Sequence, residues 1–292
     1  MAETSSQSTA QPDRFIREMR ESDLHALHGL TVEVGWPHRL EEWRFALEVG
    51  HGVVAADSAG RIYGSAMWWP FGQDAGAVGM VIVSPRLQAK GTGRLLMRAI
   101  FDQAGDRSLR LTATKAGRRL YEDQGFLPLG HIRQFQGVAA NVADDANESF
   151  SGKVRPMKPG DEVALLALDR GATGVDRSVA LRAALGRSTG FVCERGGDVV
   201  GFALCRAFGR GRLLGPMVAE DDAMAIALAR PHVEANVGGF FRADTAFYEG
   251  DYAAFLARAG LAEVDSGLVM GRGAEWRRTG AATYALINQA LG

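Results

Sequence analysis

The chain has 292 residues, of which 47% are hydrophobic, and its 33 Lys and Arg residues nearly balance its 34 Asp and Glu residues. This length and hydrophobic content suffice for two domains with buried cores. The balanced charge gives no electrostatic reason to expect nucleic acid or an anionic membrane as a partner. The sequence contains no apolar run of about 18 residues that would predict a transmembrane helix.

The N-terminal segment and the cysteines favour a cytoplasmic protein. Residues 1–13 are rich in Ser, Thr and Gln and lack the apolar core of a secretory signal, so we expect a disordered leader. Cys193 and Cys205 match no metal-binding or redox spacing. We therefore expect two buried, reduced thiols and no metal.

The first half of the chain predicts helices and strands in the order α-α-β-β-β-α-β-α-β. Apolar residues at helical spacing, such as Leu96 and Ile100, predict a helix that begins at Thr92 and that Gly105 stops. Alternating or short apolar runs predict the strands. In chain order the nine predicted elements cover residues 21–34, 40–49, 52–57, 61–69, 76–83, 92–104, 108–114, 116–125 and 126–136.

The second half repeats this order. Three glycine landmarks recur at offsets of 137, 136 and 135 residues, and they are the pairs Gly64 and Gly201, Gly79 and Gly215, and Gly125 and Gly260. A nearly constant offset indicates one duplicated unit, although unrelated domains with similar glycine-punctuated strands remain an alternative. We predict a first domain over 14–137, an exposed linker over 138–153 and a second domain over 154–292.

A glycine-containing turn joins the strand before residue 84 to the helix that begins at Thr92. Gly91 and Gly93 allow the backbone to approach a ligand closely, and the helix N-terminus offers unpaired N–H groups and a positive dipole. Lys90 and Arg94 add positive charge. The turn therefore predicts a phosphate-bearing ligand, with a tight turn that binds no ligand as the alternative.

Two common phosphate-binding motifs do not fit this turn. A P-loop would have Lys and Ser or Thr directly after its last glycine, whereas Arg94 and Leu95 follow Gly93. A dinucleotide-binding fingerprint would have a third glycine at the position of Leu96. Neither motif explains the turn.

The turn and a later element together resemble the GCN5-related N-acetyltransferase (GNAT) family. Gln88, Gly91 and Gly93 match the family pattern Gln/Arg-x-x-Gly-x-Gly/Ala after a central strand, and a tyrosine helix that ends in Gly-Phe follows it as Tyr121, Gly125 and Phe126. The resemblance covers most of residues 14–136. The second half resembles the family only in its strand order and in the ending "FLARAGL".

The resemblance implies an α/β fold with a mixed sheet, arranged as two tandem GNAT-like acyl-CoA N-acyltransferase domains of which the second is degenerate. It also implies acetyl-CoA as the cosubstrate. In the family, the pantetheine chain pairs with the central strand and lies where that strand splays from its neighbour. The implied cofactor-binding residues are Met80, Val81, Ile82 and Val83 for pantetheine, and Gln88, Ala89, Lys90, Gly91, Thr92, Gly93 and Arg94 for pyrophosphate.

The implied chemistry is direct attack of an amine on the thioester in a ternary complex. Tyr121 resembles the tyrosine that protonates the departing CoA sulfur, or it packs against the cofactor without proton transfer. A main-chain N–H near Val81 is a candidate donor to the thioester oxygen. The central strand "AVGMVIV" lacks the glutamate that many relatives carry there, so the base stays open among His38, Glu42, His51 and His131.

Four of the five tryptophans fall where family members often form the acceptor pocket. We expect Trp36, Trp68 and Trp69 to contact the acceptor, which favours an apolar or aromatic amine or a cation held over a ring. Strand alternation places at least one of Trp68 and Trp69 in the core. Trp43 lies on an amphipathic helix and is predicted to be a core residue.

The second half is not expected to bind CoA. Glu220, Asp221 and Asp222 replace the glycine turn, and carboxylates there repel pyrophosphate while they cap the helix. We expect a structural role that closes the sheet edge or the acceptor cleft of the first domain. The segment that contains Phe240, Phe241, Arg242 and Asp244 either contributes to a shared pocket or packs as an ordinary strand.

The sequence thus predicts an N-acetyltransferase whose partner is a small-molecule amine or an amino acid. One alternative is a protein or peptide N-acetyltransferase, which requires an open groove. Others are a non-catalytic CoA-binding sensor and a scaffold without ligand. The sequence does not distinguish a monomer from a homodimer.

Overall fold

The computed structural model describes residues 14–88, 91–142 and 151–292. The predicted leader, Ala89 and Lys90 of the glycine turn, and residues 143–150 of the predicted linker lie outside the described residues. None of the described helices is long and apolar enough to cross a membrane.

The first half contains the nine predicted elements with shifted ends, and one further strand. The helix predicted over 92–104 has the bounds observed, whereas the first strand was not predicted because only five residues alternate next to the polar leader. The elements are β1 Arg14–Glu18, α1 Leu24–Glu33, α2 Leu40–Glu48, β2 His51–Asp57, β3 Ile62–Phe71, β4 Ala75–Val83, α3 Thr92–Ala104, β5 Ser108–Ala113, α4 Arg118–Glu122 and β6 Leu127–Val138.

The second half has the same order of elements, as the glycine offsets predict, followed by one extra strand. These elements are β7 Lys153–Pro156, α5 Glu162–Thr173, α6 Ser178–Leu185, β8 Ser188–Arg195, β9 Asp198–Phe208, β10 Gly211–Ala219, α7 Asp222–Glu234, β11 Phe240–Thr245, α8 Gly250–Arg258, β12 Ala262–Arg272 and the additional β13 Ala282–Ala285.

All described strands belong to one mixed sheet in the order β1-β2-β3-β4-β5-β12-β6-β11-β10-β9-β8-β7, with β13 paired to β10. Strands β6 and β12 are the last repeated strands of the two halves, and each pairs with a strand of the opposite half. Strand β12 pairs antiparallel with β5, with Met270 opposite Leu111, and β6 pairs antiparallel with β11, with Phe135 opposite Ala243. The two halves therefore exchange strands, and the sheet runs on across the sequence boundary that we placed at 138–153.

Helices cover both faces of the sheet. On one face of the first half, Leu96 and Ile100 of α3 pack against Trp68 and Val78. On the other face, α1 and α2 pack against Trp69 and other strand residues, and Ile287 and Leu291 from the C-terminal segment join this cluster. We call these the α3 face and the α1–α2 face. The second half reaches into the α1–α2 face of the first.

The two cysteines are buried and free in the second half. Burial raises the pKa of the Cys205 thiol to about 12. A thiol with this pKa stays protonated at neutral pH and packs as a small apolar side chain.

Candidate functional site

A gap opens in the sheet between β4 and β5. These parallel strands pair from Ala75 and Ser108 to Val78 and Leu111. Beyond Val78, β4 continues to Val83, and no described strand pairs with it on the β5 side. An unpaired strand edge presents N–H and C=O groups to an extended ligand.

A bulge redirects the β4 backbone at the start of this gap. Met80 has a φ of +50°, which is uncommon for a non-glycine residue. The register between β3 and β4 shifts opposite it, and the Ser65 hydroxyl donates to the Met80 carbonyl at 2.8 Å. Bulges of this kind often lie next to active sites, where they re-aim the chain. Met80 to Val83, the predicted pantetheine-binding residues, form this exposed edge.

The N-terminus of α3 lies just after the gap, and no side chain among the described residues caps it. Gly91 is the N-cap residue, its φ is +80°, and no side chain accepts a hydrogen bond there. A Cβ atom on Gly91 would meet no atom within 4 Å, so this position faces open space. The first turn of a helix presents main-chain N–H groups to an anion, and this one is open at Gly91.

Gly93 has a different role from Gly91. A Cβ atom on Gly93 would lie 3.1 Å from the Leu120 side chain. Its missing side chain thus lets α3 pack closely against the residues of α4. The sequence interpretation gave both glycines to the ligand; Gly91 faces open space, while Gly93 is half-buried and also serves this packing.

Two polar side chains border the turn. The exposed Arg94 side chain forms an ion pair with Asp123 at 2.7 Å, and the Gln88 amide donates to the Val83 carbonyl at 3.1 Å. Thr92 is buried. Arg94 thus lies at the helix start, where its charge favours an anion, while the predicted contacts of Ala89 and Lys90 fall outside the described residues.

Tyr121 lies on α4 in the cluster that joins α3 to the sheet. Its ring packs edge to face against Phe126, with centroids 6.1 Å apart, and burial raises its pKa above the usual value. Gly125, in the turn after α4, has a φ of +82°. The phenol is therefore protonated at neutral pH, which suits the predicted acid.

The four candidate bases differ in environment. His51 and His131 are exposed. The His38 ring packs between Trp36 and Phe208, and burial lowers its pKa to about 4. Such an imidazole is neutral at pH 7 but a weak base.

Glu42 is also a poor candidate for the general base. Burial alone would raise its pKa, but hydrogen bonds from Arg39 bring the pKa below the ordinary value. The Arg39 side chain forms an ion pair with it at 2.8 Å. The Glu42 carboxylate is therefore already occupied.

The three tryptophans predicted to bind the acceptor have packing roles. Trp69 has no exposed surface, and its indole N–H donates to the Ala46 carbonyl at 2.9 Å. Trp68 lies on the α3 face and donates to Gln103 at 3.0 Å. Trp36 is half-buried against His38. The structure therefore gives no support to acceptor contacts by Trp68 and Trp69, and it makes Trp43 a core residue as predicted.

A cavity of about 190 Å³ lies where the two halves meet on the α1–α2 face. Sequence reasoning missed it because its lining comes from distant segments. The sequence signal that could have indicated this cavity is the fifth tryptophan, Trp276, in "EWRR". The cavity lining includes Ala77, Arg110, Leu111 and Thr112 from β4 and β5, and Trp276, Arg278, Gln289 and Ala290 from the end of the chain.

The corresponding gap of the second half is filled. Strands β10 and β11 are parallel and part after Leu214 and Ala243. Beyond that point β13 pairs antiparallel with β10 over residues 217–219. This strand occupies the edge that β4 leaves free in the first half, so the second half has no open edge there.

The helix after β10 is capped by its own chain. Asp221 accepts a hydrogen bond from the Met224 N–H at 2.8 Å. Asp222 accepts from the Tyr284 hydroxyl at 2.9 Å and from the Tyr252 N–H at 3.0 Å. The acidic residues predicted to repel pyrophosphate thus also bind the segment that fills the gap.

Buried polar groups of the second half position the C-terminal segment. Asp244 has no exposed surface, and it accepts from Arg242 at 2.8 Å and from Gln289 at 3.2 Å. Arg206 donates to the Ile287 carbonyl at 2.7 Å. Of the two predicted readings for this strand, its buried residues support packing, and through Gln289 they also reach the cavity wall.

Comparison with known proteins identifies the class. Two family models, each described as an acetyltransferase (GNAT) domain, match residues 48–128 and residues 165–285. Together they cover more than half of the chain. The chain belongs to the GNAT family as a tandem member, and it is an acetyltransferase of that family.

Individual relatives share this whole-chain arrangement. The protein named uncharacterized N-acetyltransferase YitH from Bacillus subtilis is 25% identical over 284 residues, which span 96% of this chain and 99% of the relative. A proposed acetyltransferase from Pyrococcus horikoshii has a TM-score of 0.80 at 17% identity, with full coverage of both chains. A tandem GNAT protein from the clavulanic acid biosynthesis pathway has a TM-score of 0.58 at 18% identity, and the match covers 89% of this chain and 98% of that one.

Proposed function

We propose that the first half transfers an acetyl group from acetyl-CoA to the amine of a small molecule or an amino acid, by direct attack in a ternary complex. The observation that carries this proposal is the edge of β4 that no described strand pairs with, followed by the N-terminus of α3, which no described side chain caps. The second half has the same strands without either feature. It acts as a degenerate domain that completes the sheet and the cavity wall.

The residues present fit acetyl-CoA. The β4 edge from Gly79 to Val83 offers main-chain groups to the pantetheine amides. The first turn of α3, beside Gly91 and Arg94, offers N–H groups and positive charge to the pyrophosphate. Bound acetyl-CoA supplies an activated acetyl thioester, which the acceptor amine attacks.

Tyr121 is the residue to which we assign proton donation. Its phenol holds a proton at neutral pH because burial raises its pKa. Among the described residues no hydrogen-bond partner occupies its hydroxyl, so the proton is available to the departing sulfur. The Val81 N–H, at the bulged edge, is our candidate donor to the thioester oxygen.

The base is not assigned to a side chain. Strand β4 carries no carboxylate, and His38 and Glu42 are poor acceptors for the reasons given above. A water chain that carries the amine proton to solvent fits these residues best. The cavity favours a small acceptor over a peptide, because its volume is only about 190 Å³ and residues of both halves line it.

The test is a thiol-release assay with acetyl-CoA and a panel of amines, amino acids and peptides. We expect turnover with a small amine and a fall in kcat of about 100-fold or more for Tyr121→Phe, with acetyl-CoA affinity retained. Tyr248→Phe, a change of the same type on the second half, serves as the control and keeps wild-type kcat. Tight CoA binding without turnover on any amine would favour a sensor and overturn the proposal.

A further inference from the structure

The cavity between the halves is cationic. Three arginines line it, and no Asp or Glu side chain does so among the described residues. Gly292 also lines it, and its carbonyl oxygen accepts a hydrogen bond from Arg177. The charge of Arg177 is neutralised by the buried Asp169, at 2.8 Å. Arg110 and Arg278 have no carboxylate partner within ion-pair distance in the described part of the chain.

Arg110 lies on β5 and is fixed in place by an aromatic ring. Its guanidinium lies 4.0 Å from the centre of the Trp276 ring. The Trp276 indole donates to the Ser108 hydroxyl at 3.0 Å and packs edge to face on Phe71. Burial and the charge of Arg278 lower the pKa of Arg110 to about 10, against a weaker opposing effect of Glu275. Two neighbouring cations without a carboxylate at ion-pair distance in the described part of the chain favour an anionic ligand.

A second observation also indicates a ligand. Thr283 lines the cavity, and its hydroxyl is buried without a hydrogen-bond partner among the described residues. A buried polar group without a partner costs free energy unless a ligand or water satisfies it. Phe247 and Trp276 supply apolar wall beside these groups. The lining thus combines unpaired cations, a free hydroxyl and aromatic surface.

The cavity also lies where the reaction would require an acceptor. Ala77 and Leu111 line it, and they belong to the last two residue pairs between β4 and β5. The gap begins at the next residues. On the far side, Ala290 packs so closely that a Cβ atom on Gly79 would lie 2.8 Å from it. A ligand in the cavity is therefore beside the gap and screened from solvent on that side.

We propose that Arg110, with Arg278 and Thr283, binds the carboxylate of the acceptor, so that the substrate is a carboxylate-bearing amine with an apolar or aromatic group. This assignment rests on the proposed function. It narrows the proposed acceptors from amines in general to amines that carry a carboxylate. The guanidiniums hold the carboxylate by charge-assisted hydrogen bonds, and Trp276 and Phe247 contact the apolar part.

The experiment measures binding by calorimetry, without turnover. The probes are two matched pairs that differ by one carboxylate, phenylalanine with phenethylamine and leucine with isoamylamine, and also inorganic phosphate. We expect the carboxylate member of at least one pair to bind about 10-fold or more tightly than its partner. Equal affinities within both pairs, or tighter binding of phosphate than of either amino acid, would overturn the assignment.

Three variants connect this preference to the residues. Arg110→Gln is expected to remove the preference for the carboxylate member, and Arg278→Gln, which alters an exposed residue and leaves the core intact, is expected to reduce it. Arg272→Gln is the matched control, because Arg272 lies over the Phe101 ring at 4.4 Å, away from the cavity. A preference that survives both Arg110→Gln and Arg278→Gln contradicts the proposal.

The binding assay and the thiol-release assay fail independently. If carboxylates bind with the expected arginine dependence but no amine is acetylated, the proposed function fails and the subsite stands. If amines without a carboxylate are acetylated as well as amino acids are, the subsite fails and the proposed function stands.

Discussion

The two halves have the same order of elements but differ at the point where their parallel strands part. Among the described residues of the first half, no strand fills the β4 edge beyond Val78 and no side chain caps α3 at Gly91. In the second half β13 fills the edge and Asp221 caps α7. The scaffold is thus common to both halves, and one strand edge and one turn distinguish them.

The connecting segments show the same difference. Residues 84–91 connect β4 to α3, whereas only residues 220 and 221 connect β10 to α7. The shorter connection satisfies an N–H group of the helix start with a carboxylate of the chain itself. A helix start can cap itself in this way or offer its N–H groups to a ligand, and the second use is the one that we propose for the first half.

The largest expected effect comes from giving the first half an acidic turn like that of the second. We expect Gly91→Glu to weaken CoA binding by at least about 100-fold, because a carboxylate then faces the pyrophosphate. Calorimetry measures this, and the wild type should bind one CoA per chain.

Gly105→Glu is the matched control for that change. Gly105 follows the other end of α3, also has a positive φ of +64°, and also faces open space. This variant should keep CoA affinity. Equal losses in both variants, or two CoA sites per wild-type chain, would contradict the contrast between the halves.

The next effect tests whether the halves fold as one unit. A Cβ atom on Gly137, in β6, would lie 2.0 Å from the Gly260 carbonyl oxygen of the second half. We expect Gly137→Ala to lower the free energy of unfolding by about 2–3 kcal/mol in urea. Because the halves share one sheet, the single cooperative transition should move as a whole.

Gly130→Ala is the control on the same strand. A Cβ atom there would meet no atom within 4 Å, so we expect little change in stability. Two separate unfolding transitions in the wild type would show that strand exchange does not couple the halves.

A third prediction concerns pH and the second half. Burial lowers the pKa of His232 to about 4, and the ring forms a 3.1 Å hydrogen bond with the Ala203 carbonyl. Because the pKa is lower in the folded state than in the unfolded one, the stability from this group is complete above about pH 6.5 and is lost as the pH falls towards 4.

We expect this loss to be about 2 kcal/mol between pH 7 and pH 5. His232→Gln removes the titrating group and should flatten the pH dependence of urea unfolding. Part of the dependence should remain, because burial lowers the pKa of His38 in the same direction. An unchanged slope in the variant would show that His232 is not buried as described.

The smallest expected effect is that of the cap. Asp221→Ala removes the side chain that accepts from Met224 and should lower the free energy of unfolding by about 1 kcal/mol. Glu220→Ala removes a neighbouring acid that forms only a surface ion pair with Arg195, so its effect should be smaller. Equal effects would mean that charge, and not capping, is what Asp221 contributes.

Local signals were sufficient for the turn and for its surroundings. The bounds of α3 followed from apolar spacing and from Gly105, and the glycine landmarks gave the repeat. In contrast, β13 covers only four residues, "ATYA", too few to show alternation. Its pairing with β10 depends on residues more than 60 positions away along the chain.

The sequence did not show which elements cover each face of the sheet or which strands and side chains become neighbours. Trp68 and Trp69 point to opposite faces, but the pattern does not tell which neighbours cover each face. Trp276 was passed over because it lies in a segment without periodicity, and only tertiary packing brings it to Arg110. Likewise, the sequence patterns of β6 and β12 fit a neighbouring strand of either half, so they do not predict the exchange.

That exchange gives the chain the character of a homodimer joined by a peptide bond. Strand β5 of the first half obtains its neighbour from the second repeat, and β11 obtains its neighbour from the first. Neither repeat closes its own sheet. Because each half supplies a strand that the other half requires, the second half contributes to the fold of the first whether or not it binds a cofactor itself.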